Sequence, residues 1–498
     1  MSQSKNNNTS FQASLFLVMA LVPMLLLFLS IDSPFYEVWG KIDSSWHFTS
    51  GKAWFSGMVP YVDFTDSKGP LLWLIYGLGY SMSHYNYVGV WVMTCVAYVA
   101  TTYFNYRTVR IFIDNSWLSL TVALLMLAFY FNPLIHDETR SEDFCQPFIA
   151  LSLWVTCRLL YQSQSSRHFK QGAWLVGISI GATLLLKFTL AMMVFFFALM
   201  ICVEAKRSGA FGIMGVVWRV ISGAVVVCLP FVVAFVIMGN FDDFIREYFV
   251  ITTKISSHSP RLNIIKWLLG GGFLSWLIIF MSVSTGTMFF VVKRYAWMPI
   301  VAFVWFLLIT VQNAEWDYYY YSCMIFGIFG LIALGKCFNG SIAACVTALL
   351  VLGVGYMFYC QLLEYPSFKL LDHESSHYFD KKHAEYCRHV EIVGKVNSPR
   401  IVFFNCNNVI NVADETGGLP GNKYFAKQFG ATDSMVEEQY EGIKRNLPHF
   451  VYVKNTETES LKKIESLGYV HVLEPGEVFK VYLLALPELK GLKADSRL

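Results

Sequence analysis

The feature that most limits what this chain can fold into is its succession of long apolar runs divided by short polar breaks. A helix that crosses a bilayer needs about 20 apolar residues, and residues 11–31 supply the first such run. Others follow at 87–106, 117–135, 145–161, 173–186, 188–203, 217–238, 267–292, 296–311, 318–334 and 342–359. In hydrocarbon every backbone polar group must be satisfied within the segment, so these runs are expected to be helices. About eleven crossings result. Run 71–82 is too short to span and reads as an interfacial or re-entrant helix. The first run lacks a small-residue cleavage site and reads as a retained helix.

The charges between the runs test this count. Basic residues are expected in cytoplasmic loops. With the N-terminus inside, those loops carry Arg107 and Arg110, then Arg158, Arg167 and Lys170, then Lys206 and Arg207, then Lys293 and Arg294, and last Lys336. The opposite loops hold Asp43, Asp63, Asp66, Asp137, Glu138, Glu142, Asp143, Asp242, Asp243, Glu247, Glu315 and Asp317. The chain therefore reads as a multi-pass membrane protein with a cytoplasmic N-terminus. A net charge of +3, scattered over loops, gives no reason to expect a nucleic-acid partner.

An odd number of crossings puts the C-terminal part outside. From residue 363 the composition becomes that of a soluble domain. Short β-like runs at 400–404, 450–453, 469–473 and 479–484 alternate with polar, helix-compatible segments at 434–445 and 457–466, which predicts a small α/β domain. Two domains are expected: a transmembrane one over 1–362, with a large first outer loop at 32–86, and an extracytoplasmic α/β domain over 363–498. The stretch Asn405-Cys406-Asn407-Asn408 follows the first strand, where α/β loops often bind ligands, but a structural cap over the membrane domain is the simpler expectation for this region. The 11 cysteines are spread singly and no CxxC occurs, so no zinc site or disulfide framework is signalled. A Cys387–Cys406 bridge is the one pairing left open.

The first outer loop, at 43–70, is too polar and too long to be a connector. Asp43, His47, Asp63, Asp66 and Lys68 gather near the membrane face, followed by the break Gly69-Pro70. Polar residues placed so usually mark a binding or reaction site. Lys187 stands between two apolar arms of roughly 15 residues, about 22 Å of helix, less than the roughly 30 Å hydrocarbon core. Its ammonium is thus expected below the outer surface, where it needs a partner or snorkels.

Asp43, Gly57, Pro60-Tyr61 and Lys68-Gly69-Pro70 before an apolar helix resemble the first extracytoplasmic loop of the GT-C membrane glycosyltransferases. The similarity is to bacterial relatives of the dolichyl-phosphate-mannose–protein mannosyltransferases, which include aminoarabinose and core-sugar transferases acting on lipid A. The acidic stretch from His136 to Asp143, leading into Pro147-Phe148, resembles the family's second outer loop. Trp316-Asp317-Tyr318-Tyr319-Tyr320 lies where relatives often carry His-Tyr. The chain departs from the pattern at Ser44, where Glu is common, at Gly69, where Pro is common, and in lacking the His near Tyr319.

The resemblance implies a GT-C fold and transfer of a sugar, with inversion, from a polyprenyl-phosphate donor to a lipid, glycan or protein acceptor at the outer face of the bilayer. Such chemistry needs a carboxylate to accept the acceptor's proton and cations to stabilise the departing phosphate. Asp43 would be the base; the plainer alternative is that it caps an interfacial helix starting near Ser44. Lys68 would hold the lipid phosphate, as would Lys187, with snorkelling as the alternative for each. Glu142 and Asp143 would orient the acceptor or join Asp43 in holding a divalent metal, or else simply cap the following helix. Arg246 would contact the donor phosphate, with Tyr248, Lys254, His258 and Arg261 as further candidates. Tyr319 would face a sugar, although the aromatic ladder 316–321 also reads as an interface belt. No cofactor beyond that divalent metal is suggested. Rival readings are a polysaccharide polymerase or ligase and, from another class, a secondary transporter. The latter needs ionisable residues near the midplane and repeated halves, whereas here the acids sit in outer loops and no repeat is visible.

Overall fold

The computed structural model describes residues 2–36, 42–131, 136, 138–162, 165–254, 273–311, 317–337, 352, 355, 377–427 and 432–492. Nine helices open the chain: α1 (Ser2–Leu29), α2 (Asp43–Phe55), α3 (Pro70–Met82), α4 (Val88–Phe112), α5 (Ser116–Tyr130), α6 (Ser141–Tyr161), α7 (Ser166–Leu186), α8 (Phe188–Ser208) and α9 (Ile213–Met238). Among the described residues, α4 and α6 to α9 are long and apolar enough to cross a membrane. With the shorter apolar helices they form an α-helical polytopic membrane protein that carries a small α/β part.

The chain divides into two compact units. The first comprises residues 1–30, 94–232 and 259–361. Here α6, α7 and α8 pack on one another, and α5 packs on α1 and on the later helix Gly327–Cys337. Asn115 starts α5 by accepting a hydrogen bond from the Leu118 amide at 3.1 Å. Close approach of α7 and α9 depends on glycine: a Cβ on Gly177 would lie 2.2 Å from the Val220 carbonyl oxygen. Small residues at such crossings are how membrane helices gain van der Waals contact. Much of α9 instead exposes apolar side chains, Met214, Trp218 and Ile237 among them, as a lipid-facing span requires.

Helices α7 and α8 each run 21 residues, longer than the arms of roughly 15 expected from hydropathy. Ser166 to Lys170 and Glu204 to Ser208 continue the helices through polar sequence. At about 1.5 Å per residue each is about 31 Å long, the added turns being polar ones at the ends away from Lys187.

The second unit comprises residues 31–93, 233–258 and 362–498. Its five-stranded sheet has the order β2-β1-β3-β5-β4, built from β1 (Arg400–Phe404), β2 (Leu419–Pro420), β3 (Phe450–Lys454), β4 (Val470–Leu473) and β5 (Val481–Ala485). β1 runs parallel to β2 and β3, with Ile401 opposite Phe450; β5 is antiparallel to β3 and β4. One face carries Val402, Phe404, Val451 and Val453 against Ile443 and Ile464, from the helices Asp433–Asn446 and Thr458–Ser466. On the other, Phe403 stacks on Tyr452 at 4.9 Å and Tyr452 meets His389 of the helix His377–Gly394. Both faces are covered, which is why β1 and β3 read as nearly continuous apolar runs.

In the same unit α2 and α3 pack closely. A Cβ on Gly51 would lie 2.6 Å from the Gly77 nitrogen, so only glycine allows this approach. Gly69 precedes α3 and Pro70 is its first residue, the position where a missing N–H is harmless.

Candidate functional site

Two polar clusters carry the chemistry-bearing residues, one in each unit. In the first unit, Glu142 and Asp143 lie in the first turn of α6. Asp143 Oδ2 accepts the Arg140 amide at 2.7 Å, so Asp143 does close the helix start. Its other oxygen is far from idle. Oδ1 accepts from Tyr98 OH at 2.6 Å and Tyr321 OH at 2.9 Å, and His136 Nε2 lies 2.9 Å away. The two tyrosine hydroxyls also meet each other. Asp143 is 1% exposed, and a buried carboxylate is tolerated only with such a set of donors.

Glu142 faces a different partner. Lys187 Nζ donates to Glu142 Oε1 at 2.5 Å, and Ser141 Oγ donates to Oε2 at 2.7 Å. Lys187 is the single residue between α7 and α8, with extended backbone (φ −153°, ψ 102°). The buried ammonium thus has a carboxylate partner in the protein. Tyr319 belongs to the 3-10 helix Asp317–Phe326, but its side chain lies outside the described residues, as does Asp137. Tyr320 and Tyr321 are buried rather than part of an interface belt.

In the second unit, Asp43 is half-buried and is itself the first residue of α2. The residue before it is Ile42, with no side-chain cap. A helix starting near Ser44 with Asp43 as its cap is therefore not what forms. The carboxylate stands in the first turn, at the positive end of the helix.

The rest of the loop fixes Lys68. Tyr61 has φ +64°, a left-handed conformation uncommon for an aromatic residue. It is held there by its backbone N–H donating to the Phe64 carbonyl (2.8 Å), by packing on Trp73 (4.7 Å) and by donation from its hydroxyl to the Lys68 carbonyl (3.3 Å). Asn240 Nδ2 donates to the Pro60 carbonyl at 2.7 Å. Beside Lys68, Asp66 accepts the Ser67 amide at 2.5 Å and lies 3.3 Å from His47 Nδ1. Burial alone would raise the Asp66 pKa, but Lys68, His47 and the Ser67 amide outweigh it and hold the group down at about 2.

Arg246 is mostly exposed and pairs with Asp243 (3.3 Å) and Glu247 (3.1 Å). Glu247 is the anchor: it also takes Lys423 Nζ at 2.8 Å and Tyr424 OH at 3.0 Å. His258 and Arg261 lie outside the described residues.

The interior of this unit holds a group that sequence reasoning passed over. Lys52 of α2 is fully buried and donates to the Ala413 carbonyl at 2.5 Å. Asp414 accepts from Thr49 Oγ1 (3.1 Å) and Tyr87 OH (2.5 Å). Burial pushes Asp414 up and Lys52 down, each partly offset by the other's charge. Tyr98 lies in the middle of α4 and carries no sequence mark, and Glu247, named in the sequence only as an outer-loop acid, lies in the π-helical segment Ile245–Ile251; the distant partners of each give it its role.

The Asn405–Asn408 turn is occupied structurally. Asn405 donates from its side chain to Glu457 and from its backbone N–H to Gln439 Oε1, and Asn408 donates to the Phe479 carbonyl. Cys387 and Cys406 are both free thiols. Among the described residues no group of three His, Cys, Asp or Glu is placed to hold a metal ion.

No protein-family model and no curated protein matches the chain. Its structure is similar to that of ArnT from Cupriavidus metallidurans. The form bound to undecaprenyl phosphate aligns with a TM-score of 0.63 at 14% identity, over 96% of this chain and 99% of that one. The apo form gives a TM-score of 0.62 at 14% identity, over 98% and 99%. Along nearly its whole length, then, this chain has the GT-C fold that ArnT represents.

Proposed function

We propose that this protein is an integral membrane glycosyltransferase of the inner membrane. It moves a sugar from a polyprenyl-phosphate-linked donor to a lipid, glycan or protein acceptor on the extracytoplasmic face, with inversion. The observation that carries this reading is end-to-end similarity to a structure that holds undecaprenyl phosphate; Asp43 and Lys68, on the first outer loop, suit that chemistry. The transferase is assigned to residues 1–362 and an outer domain to 363–498, with residues 31–93 and 233–258 of the former in the same compact unit as the latter.

Asp43 takes the proton of the acceptor hydroxyl as its oxygen attacks the anomeric carbon from the face opposite the leaving group. The bond from that carbon to the phosphate oxygen breaks, and the departing polyprenyl phosphate keeps the electron pair. Lys68 stabilises the new charge, and Arg246 guides the phosphate. Glu142 and Asp143 orient the acceptor, with Lys187 exchanging its Glu142 contact for phosphate during the cycle.

The test is incubation of the purified protein, in nanodiscs, with radiolabelled polyprenyl-phosphate sugars. Release or transfer of label by wild type, absent from an Asp43→Asn preparation, is the expected result. No turnover of any such donor alongside a cell-envelope acceptor extract would sink the reading.

A further inference from the structure

Within the first unit, at the end of α6 away from Glu142 and Asp143, three arginines line one cavity of about 410 Å³. Arg107 and Arg110 come from the last two turns of α4, and Arg158 from the last turn of α6. From Glu142 to Arg158 the helix rises about 24 Å, against a hydrocarbon core of roughly 30 Å. The two charged clusters therefore stand near opposite faces of the membrane. In the orientation expected from the loop charges, the arginine face is the cytoplasmic one.

Basic residues at such a helix end need no ligand to explain them, but here they converge. Arg107 Cζ lies 4.8 Å and Arg158 Cζ 5.8 Å from the centroid of one ring, the Trp154 indole, on which Phe104 also stacks at 5.7 Å. Arg107 donates to Tyr103 OH at 2.7 Å, and Arg110 to the carbonyls of Ile113 (3.0 Å) and Asp114. All three arginines are half-buried. A guanidinium has five N–H donors in a fork, so it keeps such neighbours and still grips a phosphate. Like charges around one cavity repel one another, and an anion between them relieves that repulsion.

A second observation says what kind of anion. An apolar groove of about 380 Å³ adjoins the cavity, with Trp154 and Arg158 as walls of both. Leu159 of α6 and Trp174 and Leu175 of α7 are among its other walls, and Trp174 is exposed. A cationic pocket beside an apolar groove fits a ligand that is charged at one end and apolar at the other. A free anion would use only half of it. Basic pockets between membrane helices on the cytoplasmic side take anionic lipid headgroups in this way.

We propose that this is a binding site for one anionic phospholipid. Arg107, Arg110 and Arg158 hold its phosphate, and an acyl chain lies along Trp154 and Trp174. The site is separate from the proposed transfer chemistry and does not depend on it. The test is native mass spectrometry of the full-length protein, released from micelles that hold equal amounts of dioleoylphosphatidylglycerol and dioleoylphosphatidylcholine. Wild type should retain one phosphatidylglycerol in clear preference to phosphatidylcholine, and millimolar inorganic phosphate should not displace it. Arg107→Gln and Arg158→Gln should each weaken that retention about tenfold, the loss expected for one charge-assisted contact. Lys206→Gln, which removes an exposed charge at the end of α8, should leave it unchanged. Equal retention of the two lipids, indifference to both arginine substitutions, or an equal loss in Lys206→Gln would overturn the proposal. Displacement by phosphate would overturn it too, since the groove would then contribute nothing. The preference of wild type is read without any variant, so an arginine variant that fails to fold leaves the test intact.

Discussion

Lys187 and Glu142 form a buried ion pair across 45 residues of sequence, Nζ to Oε1 at 2.5 Å. It links the junction of α7 and α8 to the first turn of α6. Breaking one side of such a pair strands a charge, which typically costs about 3–5 kcal/mol. Lys187→Met or Glu142→Gln alone should therefore lower thermal stability strongly in nanodiscs. The double variant should lose less than the sum of the singles. Additive losses would mean that the pair does not act as a unit.

Asp43→Asn should leave a folded, inserted protein that transfers no sugar. The amide nearly preserves size at the start of α2. Loss of a positioned general base lowers rate by about 10²–10⁴. Transfer rate and melting temperature are read on one preparation. Activity within a few-fold of wild type would falsify Asp43 as the base and shift attention to Glu142 and Asp143.

Lys68→Ala should impair use of the donor more than it impairs folding. A partly exposed lysine contributes no more than about 1 kcal/mol to stability, whereas a phosphate contact in a shielded site is worth more. The measurement is apparent donor affinity. A value equal to that of wild type would leave Lys68 with a headgroup-facing role only.

Asp66 should shape the acid limb of stability. Its folded pKa, about 2, lies below the usual carboxylate value of 3.8. The stabilisation is therefore full above 3.8 and lost as pH falls through 2, since the unfolded chain binds the proton first. About 2 kcal/mol is at stake. Asp66→Asn should flatten the decline in melting temperature between those pH values. An unchanged acid limb in that variant would remove Asp66 from the account.

Opposite placement of the termini, with Leu498 outside, is expected from the odd number of crossings and the basic inner loops. A C-terminal alkaline phosphatase fusion should be active and a C-terminal green fluorescent protein fusion dark. The reverse pattern would overturn the topology and the outer-face reading with it.

The chain's local patterns determine its elements. Apolar length announces the spans, since hydrocarbon admits only internally bonded backbone. Doubly buried apolar runs mark β1 and β3, and Gly69-Pro70 marks the start of α3. Among the elements that escaped are β2, only two residues long, and the amphipathic helix His377–Gly394, which lacks a strong apolar run. The lengths of α7 and α8 were also hidden, because polar residues continue a membrane helix as readily as apolar ones once it has begun. What only the tertiary structure decided is which polar groups meet. Asp143 draws its donors from Tyr98 and Tyr321, 45 and 178 residues away, and Asp414 is held by Thr49 from 365 residues away. Residues 31–93 belong with the C-terminal sheet in one compact unit although most of the chain lies between them. Periodicity is a property of neighbours in sequence and can be read there. A buried charge is stable only beside a counterpart, and that counterpart is chosen by packing between distant segments.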